Sequence, residues 1–189
     1  MKKILIVFLL FLSMHFINKN IYAANTVNNF LFDGEKYNLV FSSKDPNTKG
    51  YINEYLRQQD NLTKLSKMIS LYNYPALKDP ISTASNFETY YKKTYPNSAI
   101  DVEKDKNKNE AYVAFIITDG KIIEFNYWRY LINKKYKGVI CHLFSYRSKD
   151  NNMKKFDKEV GSNCQRWIKL FKAFDPPDLY QQDFNSSKK

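Results

Sequence analysis

The chain has 189 residues, with 30 Lys and Arg against 19 Asp and Glu, giving a formal net charge of +11. That length fits one domain with a sizeable core. The basic balance admits nucleic acid, an anionic membrane surface or an acidic protein as partners. The lysines are scattered and alternate with acids, as in Lys104-Asp105-Lys106-Asn107-Lys108, so a solvated surface is the expected reading and no nucleic-acid partner is expected.

Taken in chain order, Lys2 and Lys3 precede an apolar run from Ile4 to Met14, and small residues Ala23-Ala24 follow a polar stretch. This is the layout of a secretory signal peptide, with cleavage after Ala23. The apolar run is shorter than the roughly 20 residues that span a bilayer; a single membrane anchor is the alternative. The expected organisation is a signal peptide over 1–23, one globular domain over 24–177 and a polar, disordered tail over 178–189. Losing Lys2, Lys3 and Lys19 and no acid lowers the net charge from +11 to +8. A periplasmic or secreted protein follows, with no stable membrane span after cleavage.

Phe30–Phe32 and Lys36–Phe41 flank Asp33-Gly34, a hairpin signal. Asp45-Pro46-Asn47 marks a loop. Asp60 or Asn61 is placed to cap a short helix reaching Met68, and Ile69–Tyr74 reads as a strand ended by Pro75. Asp79-Pro80 starts a helix whose apolar side is Ala84, Phe87 and Tyr91, ended by Tyr95-Pro96-Asn97. Ile100–Glu103 reads as a strand, then a polar loop over 104–109. Ala111–Thr118 and Lys121–Ile132 are strands joined at Asp119-Gly120, and Gly138–Arg147 follows a short loop. Asn151–Phe171 is a helix with the stripe Met153, Phe156, Val160, Cys164, Trp167, Ile168 and Phe171, stopped by Asp175-Pro176-Pro177.

A two-residue turn at Asp119-Gly120 pairs Thr118 with Lys121. A four-residue loop at 134–137 pairs Asn133 with Gly138. One face of the meander then carries Tyr112, Tyr127, Phe144, Ala114, Phe125 and Tyr146, with Glu110, Arg129 and His142 toward its far end. The other carries Glu124 with Arg147, then Trp128, Leu143, Tyr130 and Cys141. Cys141 and His142 are strand neighbours and point to opposite faces, so they cannot act as nucleophile and base together.

Cys141 on a strand and Cys164 in the following helix stripe are the only cysteines. In an exported protein one disulfide, Cys141–Cys164, is the expected assignment, worth about 3 kcal/mol on the loop-entropy model. Two buried free thiols are the alternative. His142 is the only histidine after the leader, which excludes a multi-histidine metal site, and two cysteines alone make no structural zinc site. Glycine is scarce, with five in all, against phosphate-cradling loops. No catalytic residue, metal or cofactor is expected. Glu124, Glu110 and Asp101 remain as acid–base candidates, with ion pairs to Arg147 and Arg129 as the structural alternative.

The 15 tyrosines and 14 phenylalanines lie largely in strands. A face carrying Tyr112, Tyr127, Arg129, His142 and Tyr146 is therefore the candidate binding face for a peptide or glycan. If helices at 61–68 and 79–94 cover that face, it is core.

Two stretches, "EYLRQQDNLTKLSKMISLYNYP" (54–75) and "GVICHLFSYRSKDNNMKKFDKEVGSNCQRWIKLFKAFDPP" (138–177), resemble small exported proteins of Gram-negative bacteria that lack an assigned function. Asn61, Thr63, Met68 and Trp167 carry the resemblance, while Leu65 stands where an aromatic is often found. That group is similar in layout to the PsbP-like α/β/α sandwich. The resemblance implies a compartment and a fold and offers no catalytic residues.

The expectation is thus an α+β domain, a mainly antiparallel sheet packed by helices as an α/β/α sandwich. Its function is expected to be that of an exported non-enzymatic accessory or binding protein, acting on another exported protein or on a peptide or glycan ligand. The alternatives are an immunity or inhibitor protein against an exported toxin, and a small hydrolase using carboxylates or His142.

Overall fold

The computed structural model describes residues 29–61, 64–118, 122–148 and 152–179. The expected signal peptide, the Asp119-Gly120 turn and the tail beyond Leu179 lie outside them. In chain order the elements are β1 (Asn29–Phe32), β2 (Glu35–Lys44), β3 (Tyr51–Arg57), β4 (Lys67–Tyr74), α1 (Pro80–Thr94), β5 (Ile100–Asp105), β6 (Glu110–Thr118), β7 (Ile123–Ile132), β8 (Val139–Arg147) and α2 (Met153–Lys172).

The strands form one eight-stranded sheet ordered β1-β2-β3-β4-β8-β7-β6-β5, and every neighbouring pair is antiparallel. Two four-strand meanders meet where β4 pairs with β8. The chain leaves β4 at the centre, passes through α1 to the far edge at β5, and works back to the centre.

Local chemistry sets these elements. Asp33 and Gly34 both have positive φ (52° and 72°) between the pair Phe32 and Glu35, the conformation of a two-residue turn that matches strand twist. Asp79 caps α1 by accepting from the Ile81 and Ser82 amides, with Pro80 in the first turn. Asn152 caps α2 by accepting from the Lys155 amide at 3.0 Å.

The two helices lie on opposite faces of the sheet. On one face α1 buries Ala84, Phe87 and Tyr91. The Phe87 ring sits 4.6 Å from Trp128 and 5.1 Å from Phe115, and the Tyr91 hydroxyl donates to the Ile116 carbonyl at 2.5 Å. On the other face α2 buries Phe156, Trp167 and Phe171. Trp167 lies 5.3 Å from both Phe144 and Tyr146, and Phe171 makes an edge contact with Tyr127 at 6.1 Å.

The expected helix-packed α/β/α sandwich of PsbP-like layout is corrected by this architecture. The fold is mostly one eight-stranded antiparallel sheet, with only two helices among the described residues. Two local misreadings account for the difference. The segment expected as a helix ending at Met68 is irregular over 64–66, and β4 already begins at Lys67. Asp60 caps no helix there. It accepts from Arg57 Nε at 2.7 Å and from the Ser66 amide at 3.1 Å, and so closes the β3–β4 connection.

The second is β3, which the sequence pattern does not reveal. Asn53, Glu54, Tyr55 and Leu56 are all buried, so this inner strand has no exposed face and no alternation to read. In place of a third helix, the sheet has one more strand, β3, than the pattern implies.

The register of the second meander is partly as expected. β7 and β8 pair Ile132 with Val139 and Glu124 with Arg147, continuing the register of the four-residue loop. β6 and β7 pair Thr118 with Ile123, not with Lys121. The slip is two residues, so every side chain keeps its face while the rows shift.

Candidate ligand pocket at the end of the sheet

The shifted register builds the site. It sets Leu71, His142, Arg129 and Tyr112 in one row across β4, β8, β7 and β6. All four belong to the face that α2 packs on. Beyond this row, at the sheet's end, lie Ile140 and Leu131, paired with one another. α2 ends at Lys172, and the chain then crosses over these residues as Phe174–Leu179.

Both ends of this crossing segment are fastened. Arg129 Nη1 donates to the Phe174 carbonyl at 3.1 Å. At the other end Tyr136 Oη accepts from the Leu179 amide at 2.9 Å and donates to Asp178 at 3.1 Å, and Lys135 pairs with Asp178. Leu179 itself is buried, so the packed core continues past Pro177. The strap roofs a cavity of about 420 Å³ lined by Leu71, Leu131, Ile140, His142, Arg129, Asn133 and Tyr136, with Asp175–Leu179 above. That volume lies in the range of small-molecule sites.

The polar wall is arranged around Arg129. Its Nε and Nη2 donate to the two carboxylate oxygens of Glu110 at 3.0 and 2.8 Å, and the Tyr112 hydroxyl donates to the same carboxylate at 2.5 Å. Burial by itself would raise Glu110; the bonds from Arg129 and Tyr112 outweigh it and hold the carboxyl below its ordinary range. Burial, then the neighbouring carboxylate, pushes the Tyr112 phenol well up.

His142 is only 7% exposed, and its Nδ1 has no hydrogen-bond partner. Burial, aided by the charge of Arg129, lowers its pKa to about 3. The imidazole is therefore neutral at ordinary pH.

The candidate binding face divides accordingly. Tyr127 and Tyr146 lie beneath α2 and are core, with Tyr112 stacked on Tyr127 at 6.2 Å. The cover is α2, and α1 lies on the opposite face. Arg129 and His142 alone of the five candidates line the cavity. The strap was legible in sequence only as a helix stop, and Tyr136 only as a loop residue.

The expected disulfide is corrected: both cysteines are free. Cys141 is buried in the cluster under α1, with Tyr72 and Tyr130, whereas Cys164 packs in the cluster under α2. The sheet stands between them. Burial also raises the Cys141 thiol well above its ordinary pKa, which leaves it a poor nucleophile.

The carboxylate candidates are engaged in pairs. Arg147 Nε donates to Glu124 at 2.8 Å across β7 and β8, and Glu110 holds Arg129. Asp101 lies on the edge strand β5, opposite Ala114. Among the described residues no group of three or more His, Cys, Asp or Glu is placed to hold a metal ion, and no helix is long and apolar enough to cross a membrane.

A family model matches residues 24–175, and the chain belongs to that family, whose function is uncharacterised. No curated protein and no solved structure matches the chain.

Proposed function

We propose that this member of the family matched over residues 24–175 is an exported binding protein that carries a small ligand in the strapped cavity at the end of the sheet. The observation that carries the reading is the cavity of small-molecule size over which the Phe174–Leu179 segment is fastened by Arg129 and Tyr136. Export rests on the charged, apolar and small-residue pattern of residues 1–24.

A hydrolase reading finds less support. A general base works best with a pKa near the operating pH, and His142 lies at about 3. Glu110 and Glu124 are each tied to an arginine.

The test is a native mass spectrum of the protein isolated from the cell envelope or medium of its source. The expected mass is that of residues 24–189 plus a small molecule that is lost on denaturation. In Leu131→Trp, which fills the cavity, the added mass should be absent. The bare chain in both proteins would refute ligand carriage, and a chain beginning at Met1 would refute export.

A further inference from the structure

Half of the protein's charge excess sits on one helix. α2 carries Lys154, Lys155, Lys158, Arg166, Lys169 and Lys172 against the acids Asp157 and Glu159, a net of +4. The chain from residue 24 has a net charge of +8, so these 20 residues hold as much excess as all the rest. The 3.6-residue repeat divides the groups by direction. With Phe156, Trp167 and Phe171 buried against the sheet, Lys154, Lys158, Ser162, Gln165 and Lys169 form the outward row, and all five are exposed. Asp157 and Glu159 fall on the two flanks. The row is thus free of acid over a length of about 22 Å.

The fold does not account for this charge. Arg166 pairs with Asp33 and Lys172 with Glu103, but among the described residues Lys154, Lys158 and Lys169 have no ion-pair partner. The first turn holds no acid. Lys154, Lys155 and Lys158 stand near the helix N-terminus, where the backbone dipole favours negative groups. Lys154 and Lys158 are four residues apart, a like-charge spacing that weakens a helix. Neutral side chains in the row would serve α2 better than these lysines do.

The make-up of the row narrows the partner. Between its lysines stand Ser162 and Gln165. It offers no aromatic ring on which a base could stack, and no large apolar side chain of the kind that anchors a protein interface. It presents separate point charges on the crest of a helix, which suits a laterally mobile array of phosphates. We infer that the outward face of α2 holds the protein against an anionic membrane surface, with Lys154, Lys158 and Lys169 over lipid phosphates. The inference is independent of ligand carriage in the strapped cavity.

The folded chain from residue 24 is sedimented with vesicles of phosphatidylcholine alone and of phosphatidylcholine mixed with phosphatidylglycerol. Binding is expected to the mixed vesicles only, and it should be lost in about 1 M salt, where the screening length falls to about 3 Å. Changing Lys154, Lys158 and Lys169 together to Gln should weaken it about a hundred-fold, at about five-fold for each lysine near the surface. The urea midpoint of that variant should equal or exceed that of the unaltered chain, since the lysines do not serve the helix. The same change at Lys78, Lys93 and Lys104, exposed on or beside α1 and β5, removes as much charge and should weaken binding only a few-fold. No binding to the mixed vesicles at low salt would overturn the inference. An equal loss in the second variant would overturn it too, by showing that net charge and not α2 makes the contact. Displacement of the vesicles by oligothymidylate at equal phosphate concentration would mark a nucleic-acid site in place of a lipid one.

Discussion

Arg129 and Glu110 meet through two N–H···O contacts of 3.0 and 2.8 Å, with their side chains only 16% and 12% exposed. The same arginine fastens the strap through the Phe174 carbonyl. Deleting one partner of such a pair leaves the other charge buried and uncompensated, at a cost of about 3–5 kcal/mol. Arg129→Leu is therefore expected to destabilise the fold by that amount in urea unfolding. Adding Glu110→Gln to it should recover most of the loss, because no lone carboxylate then remains. A loss below about 1 kcal/mol for Arg129→Leu would refute the structural role of the pair.

His142 makes stability depend on pH in a window the carboxylates do not reach. Its pKa is 6.5 in the unfolded chain and about 3 in the folded one. As pH falls below 6.5, the unfolded chain takes up the proton first and is favoured. Stability is thus full above pH 6.5 and falls progressively toward pH 3, at about 1.4 kcal/mol per pH unit. Between pH 7.5 and 5 the chain from residue 24 should lose about 2 kcal/mol on the same basis. Glu110, lowered from 4.5, adds its own loss only below that interval. His142→Gln should flatten the profile from pH 7.5 to 5; an unchanged slope in the variant would show that another group titrates there.

How far the sequence discloses this molecule depends on which residues face water. The β1–β2 turn, the Asp79 cap and the apolar stripe of α2 are legible because local rules dictate them. So is the β7–β8 register, which follows from loop length. β3 is not legible, since Asn53 and Glu54 interrupt its apolar residues and both its faces are buried. The pocket is legible only in part. His142 and Arg129 stand out by type, but their union with Leu71, Tyr136 and Leu179 depends on β4 pairing with β8 and on where the chain goes after α2. No local pattern encodes either. The same gap explains the disulfide. Cys141 and Cys164 are near in sequence, yet α2 returns to the face carrying His142, not the face carrying its strand neighbour.

That separation of the cysteines gives a direct check. Intact mass of the folded protein should be unchanged by reduction, and two alkyl groups should add after unfolding. In the folded state Cys141, 1% exposed, should label only as fast as the chain unfolds globally, while half-buried Cys164 should label earlier. A native mass two hydrogens lower, restored by reduction, would contradict the arrangement of α2 on the sheet.

Two glycines should respond to alanine with opposite signs. Gly161 is exposed inside α2, and a Cβ there would meet nothing within 4 Å. Alanine at this position is expected to stabilise by about 1 kcal/mol, the helix-propensity difference. Gly138, just before β8, has φ +86°, and a Cβ there would run into the Tyr74 carbonyl and the Pro75 backbone. A left-handed conformation alone costs a non-glycine residue about 1–2 kcal/mol, and backbone cannot swing aside as a side chain tip can. Gly138→Ala should therefore lose more than about 2 kcal/mol, and its effect should reach the pocket. Tyr74 pairs with Val139, one residue from Ile140 on the cavity floor. Denaturant midpoints of the two variants measure both effects. A neutral Gly138→Ala would mean that the β7–β8 connection does not close against the end of β4, and the floor of the cavity would then lack the support on which the ligand site depends.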